Sequence, residues 1–165
     1  GMEASLTAGW GDFYVAIGGA GAALAGLVMV GISVSLTEIL ADHSLPARAA
    51  AAIGSLILVV VVAGVGLIPG EPAPTLGIEI LVGTLLATVQ HVTAIMRMTS
   101  ESKRPVATLV ARSAVAAVQL VPLAVGSILL IASNASGLYW IAAGMILIII
   151  GSVLSAWVLL IEIRR

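Results

Sequence analysis

Residues 138–161 read LYWIAAGMILIIIGSVLSAWVLLI, and no charged side chain interrupts them. About 20 mostly apolar residues are enough to cross the hydrocarbon core of a bilayer as an α-helix. Four further stretches meet the same criterion, and they are 13–36, 49–68, 76–96 and 106–132. Their apolar residues are continuous rather than alternating, which disfavours a transmembrane β-barrel. The sequence therefore predicts an all-α integral membrane helical bundle of five transmembrane helices, forming a single domain over residues 1–165.

The composition agrees with a protein whose main solvent is lipid. Of the 165 residues, 61% are hydrophobic and 9% are charged, whereas a typical soluble domain carries about 25% charged residues. The chain has no cysteine, which excludes disulfides and thiolate-ligated metals. Its net charge of −1 gives no bulk attraction for nucleic acid. The lipid bilayer is therefore the expected partner, and nucleic acid is not.

The basic residues indicate both the number of spans and their orientation. With five spans, all seven fall on one side of the membrane, and they are Arg48, Arg97, Lys103, Arg104, Arg112, Arg164 and Arg165. Lysine and arginine accumulate on the cytoplasmic side of membrane proteins. A single re-entrant element over 106–161 would instead place Arg164 opposite Lys103. We therefore predict a multi-pass protein of the bacterial cytoplasmic (inner) membrane, with the N-terminus outside and the C-terminus inside.

Aromatic side chains are expected at the two membrane interfaces. Trp10 and Tyr14 lie near the start of the first span, and Tyr139 and Trp140 open the last one on the same side. Trp157 lies close to the other interface. Such positions are typical of interfacial anchors, which we favour over a role in ligand binding.

Small residues in the first span predict close helix packing. Gly18, Ala22 and Gly26 lie on or beside one face, with Ala25 beside them. Small residues so placed allow the backbones of two helices to approach each other in lipid. We favour packing within the chain, and the alternative is a contact between copies of the chain in a homo-oligomer.

The last span has a regular glycine repeat. Gly137, Gly144 and Gly151 are spaced by seven residues, and Ser155 continues their face. A seven-residue repeat predicts a left-handed crossing with a neighbouring helix. In the fourth span, Pro122 removes one backbone hydrogen bond, so a kink is expected there.

Four polar side chains at membrane depth are the candidate functional residues. Glu79 and Gln90 share one face of the third span and should point to the same neighbour or cavity. Gln90 is expected either to bond Gln119 across two helices or to line a polar path with it. Glu79 is either part of that path or a carboxylate favoured by the N-terminus of its helix. His91 is either a hydrogen-bonded structural residue or a proton relay.

The sequence contains no recognisable catalytic set. No Ser–His–acid group, metal-ligand cluster or phosphate-binding glycine loop has an interpretable spacing. We therefore expect no enzymatic activity, cofactor or metal. Arg112 is expected to extend to the inner surface or to pair with Glu101.

Two stretches resemble a family of small bacterial membrane proteins, some of them labelled modulators of the FtsH protease. The first, residues 10–40, has an aromatic start and a small-residue helix that ends in a serine-rich turn. The second, residues 45–81, reads LPARA, then a long apolar run, LIPG and LGIEI. The resemblance covers the first half of the chain and implies a bacterial membrane location. It supplies no catalytic residues.

Two functions remain open from the sequence. The first is a non-enzymatic membrane scaffold or regulator that contacts itself or a larger membrane complex through its helices. The second is a homo-oligomeric channel or transporter subunit for an ion or small solute, with a polar path past Glu79 and Gln90.

Overall fold

The computed structural model describes residues 8–42, 45–101 and 105–163. All regular structure within these ranges is helical, which confirms the predicted all-α bundle. The helices are α1 (Gly11–Val34), α2 (Leu36–Ala41), α3 (Leu45–Gly66), α4 (Ala73–Glu101), α5 (Val106–Ile131) and α6 (Gly137–Ile163).

Five of these helices are long and apolar enough to cross a membrane, as predicted, and the short α2 is not among them. The shortest of the five, α3, has 22 residues and extends over about 33 Å, slightly more than a hydrocarbon core of about 30 Å. Helices α3 and α4 begin at Leu45 and Ala73, a few residues before the predicted starts at 49 and 76. Their first turns therefore include Pro46 and Pro74. Proline is tolerated there because the first backbone N–H groups of a helix have no intrahelical partner.

Contacts between helix ends establish an up-and-down arrangement. A β-carbon at Gly66, the last residue of α3, would lie 2.9 Å from the ring of Tyr14 in the first turn of α1. The Trp10 and Tyr139 ring centroids are 5.0 Å apart. At the other end, Gly31 of α1 contacts Leu160 of α6. Successive long helices are therefore antiparallel, as five spans require.

We call the two ends of the bundle the basic end and the opposite end. The basic end holds the start of α3, the end of α4, the start of α5 and the end of α6, and with them Arg48, Arg97 and Arg112. The remaining basic residues of the predicted cluster, Lys103, Arg104, Arg164 and Arg165, lie outside the described residues. The opposite end holds the aromatic contacts between Trp10, Tyr14 and Tyr139.

The core is built from two closely packed sets of helices. Helix α5 packs extensively against both α4 and α6, and α1 packs against α3. Helix α3 joins the two sets through contacts with α4 and α6. The largest fully buried side chains include Leu76, Ile80, Leu123, Leu130, Ile141, Met145 and Ile148.

The glycine repeat of the last span forms the seam between α5 and α6. A β-carbon at Gly137 would lie 2.5 Å from the carbonyl oxygen of Gly126, and one at Gly144 would lie 2.8 Å from Leu123 Cγ. At Gly151 the same atom would collide with the side-chain amide of Gln119. Helix α5 continues through Pro122 without interruption.

The packing face of α1 differs in part from the prediction. Gly18 contacts Ala63 of α3, as expected, and Gly21 and Ala25 continue that face. Ala22 and Gly26 are exposed, and a β-carbon at Gly26 would meet nothing within 4 Å. The prediction that Ala22 and Gly26 pack within the chain is therefore wrong, because α3 covers a face of α1 that does not include them.

Candidate functional site

A cavity of about 430 Å³ opens at the basic end between α3, α4, α5 and α6. This volume lies within the range of about 300–1,000 Å³ that is usual for small-molecule sites. Much of the wall consists of small residues contributed by all four helices, namely Ala47, Ala51, Ala52, Ala94, Ala111, Ala116 and Gly151.

The cavity begins where the glycine seam ends. Backbone contact at Gly137 and Gly144 holds α5 and α6 together, whereas at Gly151 the Gln119 side chain lies between the two helices. Beyond Gly151, α6 presents Leu154 and Val158 to the cavity. The larger side chains of α6 face alanines on α5 and keep the two helices apart. The alanines are too small to fill the space between the helices, so a cavity remains.

Two arginines give the cavity its charge. Arg48 lies in the first turn of α3 and Arg112 in the second turn of α5, and both are half-buried residues of the lining. Both also have an interaction partner within the protein. The described lining contains no carboxylate. A guanidinium has five N–H donors, so an arginine that already has one partner keeps donors with which it can bind an anion inside the cavity.

The inner end of the cavity holds polar groups that lack a protein partner. Gln119 is 8% exposed and Ser152 is 4% exposed, and both line the cavity. Neither side chain has a hydrogen-bond partner among the side chains and backbone groups that the structure describes. Because both side chains line the cavity, the Gln119 amide and the Ser152 hydroxyl can donate to and accept from polar groups inside it.

His91 and Ser55 form a hydrogen-bonded pair in the cavity wall. His91 Nδ1 lies 2.8 Å from the carbonyl oxygen of Ala87, and Nε2 lies 3.4 Å from Ser55 Oγ. A carbonyl oxygen only accepts, so Nδ1 carries a proton, and in the neutral ring Nε2 accepts the Ser55 hydroxyl proton. This arrangement fits the structural alternative for His91 and fixes the orientation of its ring.

Gln90 does not line the cavity, and it does not bond Gln119. Its Nε2 donates to the carbonyl oxygen of Ala50 at 3.3 Å, and its amide lies against Gly54 on α3. Gly83, on the same face of α4, also contacts α3 at Leu58. The shared face was predicted correctly, but it lies along the exposed edge between α3 and α4. The predicted Gln90–Gln119 pair is therefore wrong, because the two amides contact different helices.

Glu79 lies at the opposite end, where it faces Glu71 in the loop before α4. Burial, a side-chain hydrogen bond to Glu79 and the charge of Glu79 together raise the pKa of Glu71 to about 7. Oε2 of each residue is buried without a partner among the described residues. The charge of Glu79 therefore favours the protonated form of Glu71.

An apolar layer separates the Glu71–Glu79 pair from the cavity. Leu123, Met145 and Ile148 are fully buried along α5 and α6 between the two sites. The four predicted site residues are therefore not brought together. The structure places His91 and Gln119 in the cavity, Gln90 on an exposed edge, and Glu79 beyond the apolar layer.

Arg48 and Ser152 line the cavity, but their place there was not identified from the sequence. Arg48 was used only as an orientation signal, and Ser152 was not singled out. Their sequence signal is faint: a basic residue three positions into a helix, and a serine next to a glycine of the heptad repeat.

Comparison with protein families, characterised proteins and solved structures finds no match. The resemblance to modulators of the FtsH protease stays a prediction.

Proposed function

We propose that the protein is a non-enzymatic scaffold or regulator of the bacterial cytoplasmic membrane that acts through helix–helix contacts, first of all with a second copy of itself. The observation that carries this proposal is the exposed face of α1. Gly19, Ala22, Ala23 and Gly26 are all exposed there, and we call them the α1 stripe.

The α1 stripe has the composition of a helix interface in lipid. Small residues at spacings of three and four let two backbones approach closely, which is the main source of helix association where lipid tails give no hydrophobic driving force. A β-carbon at Gly19 or Gly26 would meet nothing within 4 Å. Helix α1 packs mainly on α3, so the stripe is available to another chain.

The test is cysteine cross-linking of the full chain in membranes. Because the chain has no cysteine, Ala22→Cys introduces a single reporter, and it should cross-link to a second copy. Adding Gly26→Leu should abolish the cross-link by separating the backbones. Adding Gly64→Leu instead is the matched control, because Gly64 is exposed on α3 with nothing within 4 Å. Equal cross-linking in the two doubly substituted chains would contradict the proposal.

The proposed orientation places the basic end in the cytoplasm. It is supported by Arg48, Arg97 and Arg112 at one end of the described bundle and by the retention of basic residues on the cytoplasmic side. Single cysteines at Ser136 and Thr99 test it with a membrane-impermeant label added to intact cells. Labelling of Ser136→Cys alone is expected, and labelling of Thr99→Cys alone would reverse the orientation.

The alternative is a homo-oligomeric channel or transporter subunit. The apolar layer of Leu123, Met145 and Ile148 argues against a polar route inside one bundle. A path past Glu79 and Gln90 would therefore have to run between copies. Ion flux into liposomes that falls with Glu79→Gln would favour the channel over the scaffold.

A further inference from the structure

From the cavity at the basic end we infer a binding site for a phosphate ester of a polyol, supplied either as a soluble metabolite or as the headgroup of an anionic phospholipid. No residue of α1 lines this cavity. The inference therefore goes beyond the proposed assembly through the α1 stripe, and the two proposals are tested on different surfaces.

The charged half of the cavity selects a phosphate. Arg48 and Arg112 line the cavity from different helices, α3 and α5, and the described lining contains no carboxylate. Each guanidinium presents a planar fork of donors. One fork is sufficient for a carboxylate, whereas the additional oxygens of a phosphate can accept hydrogen bonds from two forks at once.

The inner end of the cavity selects hydroxyl groups. Gln119 lies about 10 Å farther along α5 than Arg112, at 1.5 Å per residue. Its amide offers both donors and an acceptor, and the Ser152 hydroxyl offers one of each. Both are more than nine-tenths buried and line the cavity without a hydrogen-bond partner in the described part of the chain. A polyol attached to the phosphate would place hydroxyl groups at this inner end.

The position of the cavity admits both sources of such a ligand. It lies at the basic end of the bundle, where a soluble molecule can enter from the adjoining water. Basic pockets between transmembrane helices also bind anionic headgroups, and the remaining wall, including Val115, Leu154 and Val158, is apolar. The phosphate and the hydroxyl groups are common to both sources.

The experiment measures binding to the full chain in nanodiscs. Glycerol 3-phosphate is titrated into phosphatidylcholine nanodiscs, and glycerate, which has a carboxylate in place of the phosphate, is the matched control ligand. In a second arm, native mass spectrometry measures retention of phosphatidylglycerol against phosphatidylcholine. Binding in the first arm identifies a soluble ligand and selective retention in the second a lipid headgroup, and either result supports the inference.

Arginine variants show whether binding occurs in the cavity. Arg112→Gln and Arg48→Gln should each weaken binding about tenfold or more, the usual effect of losing hydrogen bonds to a charged group. Arg112→Lys keeps the charge and should weaken binding less, which separates recognition from misfolding. Arg97→Gln is the control, because Arg97 is an exposed residue of the same end that does not line the cavity. It should change affinity less than twofold.

A variant at the inner end tests the polyol assignment. Gln119→Leu should weaken glycerol 3-phosphate and leave inorganic phosphate unchanged. The inference is overturned if neither ligand binds, if glycerate binds as tightly as glycerol 3-phosphate, or if Arg97→Gln weakens binding as much as Arg112→Gln. Equal weakening of both phosphates by Gln119→Leu would overturn the choice of a polyol.

Discussion

Replacement of Gly126 by alanine should destabilise the bundle by separating α5 from α6. A β-carbon at this position would lie 2.6 Å from the carbonyl oxygen of Gly137 and 3.0 Å from the backbone nitrogen of Ile141. Ordinary contacts between heavy atoms are about 3.5–4.0 Å. The two helices must therefore move apart by about 1 Å at this point, because backbone atoms cannot rotate away as a side chain can.

The size of the effect is the difference between two opposing contributions. Adding volume to a well-packed contact typically costs about 1–3 kcal/mol. Replacing glycine by alanine inside a helix returns about 0.5–1 kcal/mol, because alanine loses less conformational freedom. The net loss in the free energy of unfolding should be about 1–2 kcal/mol. Gly64→Ala is the matched control, since nothing lies within 4 Å of its β-carbon, and it should be neutral or stabilising.

The assay is reversible unfolding of the purified chain in mixed detergent micelles, followed by helical circular dichroism. The two alanine variants should differ by about 2 kcal/mol, with Gly126→Ala the less stable. If Gly126→Ala were as stable as Gly64→Ala, the backbone contact between α5 and α6 would be absent in the folded protein.

Three further predictions concern the opposite end. The raised pKa of Glu71, about 7 against an ordinary 4.5, means that the folded state binds this proton more tightly. The contribution of Glu71 to stability should therefore be largest below about pH 4.5, fall as the pH rises to about 7 and then level off, and Glu79→Gln should reduce this dependence in unfolding titrations. The Tyr14 hydroxyl is buried without a described partner, so Tyr14→Phe should raise stability by about 1 kcal/mol, whereas exposed Tyr139→Phe should not; equal effects would contradict the burial. Ser133 has a φ of 59°, a conformation that costs non-glycine residues about 1–2 kcal/mol, so Ser133→Gly should raise the midpoint of thermal unfolding.

The backbone around Ser133 also explains why the end of α5 was predicted accurately from the sequence. The N–H groups of Asn134 and Ser133 bond the carbonyl oxygens of Leu129 and Leu130 at 2.8 and 2.9 Å. This is the Schellman arrangement that ends many helices. The predicted end of the fourth span at residue 132 was accurate because the next two residues satisfy these terminal groups locally.

The five spans were predictable because length and apolar composition alone decide whether a helix can cross a bilayer. The glycine seam was predictable for a similar reason, since a strict seven-residue repeat on α6 defines one face without reference to other helices. The face of α1 was not. Its small residues surround much of the helix, so only the position of α3 decides that Gly18 is covered while Ala22 and Gly26 are exposed.

The cavity could be predicted only in part. Gln119 and His91 were recognised as polar residues at membrane depth, but their grouping with Arg48 depends on how far α3, α5 and α6 separate at one end. That separation arises from side-chain volumes on several helices together, which periodicity in one helix does not report. Gln90 was misassigned for the same reason, because a rotation of a few tens of degrees decides between the interior and an edge.

The contact between Gly126 and Gly137 lies far from the mouth of the cavity, so a small tilt of α5 at this contact would displace its other end by a larger distance. Thr108, at the rim of the cavity, lies 18 positions before Gly126 on α5, or about 27 Å along the helix. A tilt of about 5° at the glycine contact would move Thr108 by about 2 Å, close to the radius of the α-helical backbone itself. The contacts of Gly144 with Leu123 and of Gly151 with Gln119 lie between these two points, so they oppose such a tilt and limit how far the mouth of the cavity can widen.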